Sequence, residues 1–207
     1  MPKKQKPAAR SRFYTDVGTK GWRQTGYDTY GFYSPGFRQW IGSQFPAKKK
    51  MILSVGCGTG ELEKHLSELR HTVVGLDLSH PMLKRASRHG LDLLVQADAY
   101  SLPFRAAQFD VMMLMESIGY LEPAKVFAEA RRVLRKRGRL MITTYAAPVD
   151  AHARYRKWGM DEIANQLIDA GFRTDEQRYL AVKKISVREV ASEDRSGLLY
   201  LSSTAMS

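Results

Sequence analysis

The chain has 207 residues, enough for one domain with a sizeable core. Hydrophobic residues make up 43% and charged residues 26%, as in ordinary globular proteins, and no apolar run is long enough to span a bilayer. One cysteine, Cys57, excludes an intrachain disulfide and fits a reducing, cytoplasmic setting; the net charge of +12 invites anionic partners.

That charge is uneven. Residues 1–50 carry eleven basic side chains against two acids, Asp16 and Asp28, hence +9 of the +12. Residues 1–12 read as a disordered basic tail without the apolar block of a secretory signal. Residues 13–50 hold ten aromatic side chains among glycines, too aromatic for a linker. They read as a cap of short helices, with Phe37, Trp40 and Ile41 at helical spacing.

From Met51 strands and helices alternate, and residues 51–207 read as the main domain. Met51–Val55 is a short apolar strand, and Glu61–Arg70 a helix with Leu62, Leu66 and Leu69 on one face. His71–Asp77 is a second strand. Ser79 is the expected N-cap of a helix with Pro81 in its first turn, ending at Gly90. Leu91–Gln96 and Phe109–Met115 are the third and fourth strands. A helix from Pro123 is expected to run to Gly138, followed by a strand over Arg139–Thr144. Asp161–Ala170 is a helix carrying Ile163, Leu167 and Ile168, stopped by Gly171. Arg178–Lys183 and Leu198–Ser203 are the last strand candidates. Near-continuous apolar strands separated by helices predict a mostly parallel sheet covered on both faces.

In such a sheet ligands bind beyond the C-terminal ends of the strands. Four features fall there. Gly56-Cys57-Gly58-Thr59-Gly60 follows strand one, where missing β-carbons let a ligand approach the main chain. Asp77 ends strand two and can accept both hydroxyl hydrogens of a ribose. Asp98, after strand three, can accept from an exocyclic amine such as adenine N6. Met115-Glu116-Ser117 ends strand four. Either acid could instead cap a turn, but two at matching registers behind the glycines make capping alone a poor account. The glycine pattern is G-x-G-x-G, and Glu61 occupies the third-glycine position of the dinucleotide motif G-x-G-x-x-G, which weighs against a dehydrogenase. Cys57 reads as a packing residue, and the five histidines show no metal-ligand spacing.

Residues 51–145 resemble the class I S-adenosylmethionine-dependent methyltransferases, nearest the group called methyltransferase type 11. The segments that carry the resemblance are VGCGTGELEKHL, VVGLDLSHPMLKRA, VQADAYSLPF, QFDVMML and EARRVLRKRGRLMIT; WGMDEIANQLIDAGF resembles the late helix. Arg137 stands where relatives commonly have glycine. The resemblance implies a Rossmann-like, doubly wound α/β fold of three layers. Its seven-stranded, mostly parallel sheet has one antiparallel strand near its end. It implies that Gly56, Gly58 and Gly60 line the methionine and ribose part of S-adenosylmethionine. Asp77 would hold the ribose hydroxyls, Asp98 and the Ala99 N–H would face adenine, and Leu78 would pack on its ring. Asp110 would be structural. Tyr27, in GYDTYGFY, resembles tyrosines that close over the methionine end in relatives. Type 11 relatives often carry a histidine pair at the Gly119-Tyr120 position, absent here, so no catalytic base is transferred.

A sulfonium methyl is already activated, so alignment and exclusion of water can supply much of the acceleration. Tyr14, Trp22, Tyr27, Tyr30 and Tyr33 are candidates for an aromatic wall that favours the cation. Glu116, Tyr120, Tyr145 and His152 are the polar groups placed to reach an acceptor. About a dozen residues, Tyr145 to Arg156, separate strand five from the late helix, so no long lid is inserted there. A small-molecule acceptor is the first expectation. RNA, held by the basic aromatic N-terminal region, is the second. A fold that binds S-adenosylmethionine without catalysis is the third.

Overall fold

The structure is a computed structural model and describes residues 34–45, 47–145, 155–156, 158–182, 187–190 and 198–206. The elements in chain order are α1 (Pro35–Ser43), β1 (Met51–Val55), α2 (Glu61–Glu68), β2 (Thr72–Asp77), α3 (His80–Arg88) and β3 (Leu94–Gln96). There follow β4 (Phe109–Met115), a 3-10 turn (Ile118–Tyr120), α4 (Pro123–Val133), β5 (Leu134–Tyr145), α5 (Met160–Asp169), β6 (Phe172–Val182), β7 (Val187–Val190) and β8 (Leu198–Ala205). Among these residues no helix is long and apolar enough to cross a membrane.

One eight-stranded sheet runs in the order β3-β2-β1-β4-β5-β8-β6-β7. The pairs from β3 to β5 are parallel; β8 pairs antiparallel with β5 and β6, and β7 antiparallel with β6. The sheet thus has one strand more than the expected seven, because a short edge strand, β7, pairs with the end of β6. Two strands, β8 and β7, run against the parallel set rather than one. Alternate strand residues feed two cores. Leu53, Val55, Met112 and Leu114 face Val126, Phe127 and Ile163 of α4 and α5. Ile52, Val111, Met113 and Met141 face Phe37, Ile41, Leu62 and Ala86 of α1 to α3. Three layers result.

α1 starts as its sequence suggests. The Ser34 hydroxyl accepts from the Phe37 N–H at 3.1 Å. Phe37 and Ile41 are buried, and Trp40 stands edge-on to Tyr200 of β8 with ring centroids 4.9 Å apart. This helix therefore belongs to one covering layer of the sheet.

Three expectations are corrected. The inward face of α2 is Leu62, Glu63 and Leu66, with Leu69 half exposed beyond the last turn, where it lies over Gly42 of α1. Ile168 is exposed, and Met160, Ile163, Ala164 and Leu167 form the buried face of α5. α4 ends at Val133, not Gly138: residues 134–138 already belong to β5 and bulge where Phe109 pairs with Leu134 but Val111 with Arg139. The helix stops because Leu134 is already extended, at φ −74° and ψ 141°. Arg137, further on, adopts φ +58°, a left-handed conformation that favours glycine. Asp110 is structural as expected: its carboxylate accepts from the Met51 N–H at 2.8 Å and from Arg135 at 2.6 Å. Burial opposes its charge, but these two donors outweigh burial and hold it below the usual carboxylate range.

Candidate active site

The parallel strands deliver their C-terminal ends to one edge, and the glycine turn forms there. Gly56, Gly58 and Gly60 all have positive φ, at +77°, +56° and +81°. The Gly56 and Cys57 N–H groups both donate to the Leu76 carbonyl, at 2.7 and 3.1 Å, which ties the turn to the end of β2. Two of the glycines are required by packing as well as by φ. A β-carbon on Gly56 would lie 2.7 Å from Ser117 Cβ, and one on Gly60 2.9 Å from Ala86 Cβ of α3. Cys57 is buried with its Sγ over Gly75, and burial pushes its thiol up. It packs, as the sequence suggested.

Asp77 joins the turn to β2. Its Oδ2 accepts from the Gly58 N–H at 2.9 Å and its Oδ1 from the Ser79 N–H at 2.8 Å. Burial raises the Asp77 pKa, against the Ser79, Gly58 and Leu78 N–H groups that favour its charge. It caps the turn into α3, and each oxygen keeps a lone pair for a further donor. Ser79 occupies the N-cap position of α3, but its hydroxyl caps nothing and has no partner. Leu78 is 51% exposed at the mouth of the turn. Asp98 is exposed, its Oδ1 accepting from the Tyr100 N–H at 2.9 Å, while the Ala99 side chain is buried.

The end of β4 is different. Glu116 has φ +55°, rare for a residue with a side chain, and its N–H donates to the Thr143 carbonyl at 3.1 Å. Both its carboxylate oxygens are shielded from solvent and lack a hydrogen-bond partner. The Tyr145 and Thr143 hydroxyls lie near enough to favour its charge, yet neither reaches it with hydrogen-bond geometry. Burial dominates and pushes the Glu116 pKa well up. Ser117, its neighbour, donates from Oγ to the Val55 carbonyl at 2.8 Å, so Glu116 sits one residue from the glycine turn.

Three tyrosines gather beside it. Tyr120 and Tyr145 stand edge-on to Tyr155, with centroids 4.9 and 5.5 Å away. The Tyr155 hydroxyl shares a 2.7 Å hydrogen bond with Thr144. Burial and the nearby Glu116 carboxyl raise the pKa of both Tyr145 and Tyr155. The structure thus brings Glu116, Tyr120 and Tyr145 together and adds Tyr155, which sequence reasoning missed. Its signal was indirect. A β-carbon on Gly119 would lie 2.3–2.5 Å from the Tyr155 ring, so the missing side chain at Gly119 makes the room for that ring. Glu63 was also missed: it is buried in α2 and accepts from Ser54 Oγ at 2.6 Å. Tyr14, Trp22, Tyr27, Tyr30, Tyr33 and His152 lie outside the described residues.

A doubly wound sheet with a glycine turn after β1 and an acid ending β2 is a nucleotide-cofactor architecture, with its ligand site beyond the C-terminal strand ends. Residues 53–142 match the family model described as "Methyltransferase domain". The chain is similar to a ubiquinone biosynthesis O-methyltransferase of Thiobacillus denitrificans, 32% identical over 114 residues, 51% of this chain and 49% of the relative. It is also similar to a phosphatidylethanolamine N-methyltransferase of Cereibacter sphaeroides, 35% identical over 130 residues, 58% of this chain and 64% of the relative. The chain thus spans about half the length of the first relative. In fold it resembles a methyltransferase solved in complex with the Haloferax volcanii Trm112 methyltransferase activator. That likeness has TM-score 0.76 at 19% identity, covering 94% of this chain and 98% of that one.

Proposed function

We propose that the protein is an S-adenosylmethionine-dependent methyltransferase acting on a small-molecule acceptor. The observation that carries this reading is the Asp77 carboxylate, fixed by the Gly58 and Ser79 N–H groups at the joint of β1 and β2. The residues present fit the donor. Asp77 would accept from the ribose hydroxyls, the Gly56–Gly60 turn would lie along the ribose and methionine, and exposed Leu78 and Asp98 would face the adenine. The donor supplies a methyl group on a sulfonium. The chain's own task is to bind, orient and exclude water. A dinucleotide fits less well: Glu61 puts an acid in the first turn of α2, where a pyrophosphate would have to sit.

The test is incubation of the protein with methyl-labelled S-adenosylmethionine and a cell extract, followed by counting of small-molecule, RNA and protein fractions. Label in the small-molecule fraction, lost in Asp77→Ala, is expected. Asp77-dependent label in RNA would replace the small-molecule reading and give the basic N-terminal region its role. Donor binding with no label in any fraction would leave a non-catalytic binder.

A further inference from the structure

Glu116 is the least explained polar group among the described residues. Buried polar atoms are normally hydrogen-bonded, and a carboxylate is the costliest group to leave without partners. Here two oxygens of one carboxylate are orphaned, on a residue whose own backbone is strained. Strain of about 1–3 kcal/mol persists where the surroundings impose it, and such residues cluster at functional sites. Among the described residues, the side chains about Glu116 supply no cation. Tyr145 and Thr143 come from β5, Tyr155 from the segment before α5 and Tyr120 from the 3-10 turn.

What would satisfy this site is a group with several donors, a positive charge and an affinity for aromatic rings. A hydroxyl has one donor, too few for two orphaned oxygens, and would leave the buried charge unbalanced. An ammonium has up to three donors and cancels that charge. Tyrosine faces favour it by about 0.5–2 kcal/mol. We propose that Glu116, among Tyr120, Tyr145 and Tyr155, binds the acceptor as an ammonium and takes the proton that frees its nitrogen. This inference rests on the methyltransferase reading and names the acceptor class: an alkyl or arylalkyl amine.

The chemistry balances. The ammonium N–H proton passes to Glu116. The freed nitrogen lone pair forms the N–C bond as the methyl C–S bond breaks, and that electron pair stays on sulfur. The product leaves as an N-methylammonium, and Glu116 returns its proton to solvent. An exposed carboxylate is too weak a base for the first step. Desolvation, which holds the Glu116 proton tightly, makes this one strong enough.

The test uses the full chain with methyl-labelled S-adenosylmethionine and a metabolite extract freed of macromolecules. The labelled product is separated by cation exchange and its methylated atom found by mass spectrometry. Label on an amine nitrogen is expected, with a fall of about 100-fold or more in rate for Glu116→Gln. Calorimetry with S-adenosylhomocysteine present should show Glu116→Gln binding the identified amine about 30-fold or more weakly. Its affinity for S-adenosylhomocysteine itself should not change, which also reports that the variant folds. Label on oxygen, sulfur or carbon would overturn the inference and leave the methyltransferase reading intact. So would an undiminished rate in Glu116→Gln. Loss of S-adenosylhomocysteine affinity in Glu116→Gln would assign the carboxylate to the donor's own amino group and overturn it too. Absence of any small-molecule label would count against the parent reading instead.

Discussion

The two halves of the site are built on opposite plans. At the ends of β1 to β3 the acids are held from behind: Asp77 by two backbone N–H groups and Asp98 by one. At the ends of β4 and β5 Glu116 has no hydrogen-bond partner among the described residues, and Tyr120, Tyr145 and Tyr155 pack edge-on beside it. The first half is a preformed cradle whose shape does not depend on a ligand. The second carries an unmet polar demand that a ligand could relieve. A binding cradle and an acceptor pocket would differ in this way.

Substitutions can break or sharpen that contrast. Asp77→Ala should have the largest effect. Two hydrogen bonds to a charged group are worth about 3–6 kcal/mol, so donor affinity should fall by at least about 100-fold in a calorimetric titration.

Glu63 tests the buried layer behind the cradle. Burial raises its pKa from 4.5 to about 7, against the Ser54 hydroxyl that favours its charge. The native state therefore keeps a proton that the unfolded chain loses above pH 4.5. Its contribution is fully present below pH 4.5 and declines by about 3 kcal/mol as the pH rises to 7. Glu63→Gln should flatten urea-unfolding stability across that window. Glu116 and Asp77, whose pKa values burial also raises, act with the same sign, so Glu63→Gln should reduce the slope rather than abolish it.

Gly119→Ala drives a β-carbon into the Tyr155 ring. Such overpacking costs about 1–3 kcal/mol. It should impair turnover of the acceptor more than S-adenosylhomocysteine affinity, since Tyr155 lies in the β4–β5 half. Equal damage to both would dissolve the division. The smallest effect belongs to Ser79→Ala. An N-cap serine normally contributes about 1 kcal/mol, but this hydroxyl makes no cap hydrogen bond. The change in unfolding free energy should stay within about 0.5 kcal/mol.

The same division explains what could be read from the sequence. The cradle is local: a glycine turn, a strand and an acid recur in order, so Gly56, Gly58, Gly60 and Asp77 could be picked out. The sequence could not show that Gly56 and Gly60 are also demanded by Ser117 and Ala86, contacts made only on folding. The mostly parallel sheet followed from the alternation, whereas its strand order and β7, a short edge strand with half-exposed ends, did not. The early end of α4 turned on Leu134, a good helix former that instead takes an extended conformation and opens β5. Glu116 could be named as a candidate but not as an orphan, since burial and missing partners are tertiary facts. Tyr155 meets Gly119 and Thr144 from a segment with no motif of its own, and only the fold brings them together.

The most direct measurement is calorimetric titration of the full chain with S-adenosylhomocysteine, and separately with NADH, before and after Asp77→Ala. One site for S-adenosylhomocysteine, lost in the variant, with no NADH binding, is the expected result. NADH binding that depends on Asp77, with S-adenosylhomocysteine ignored, would contradict the assignment of the glycine turn to the methyl donor.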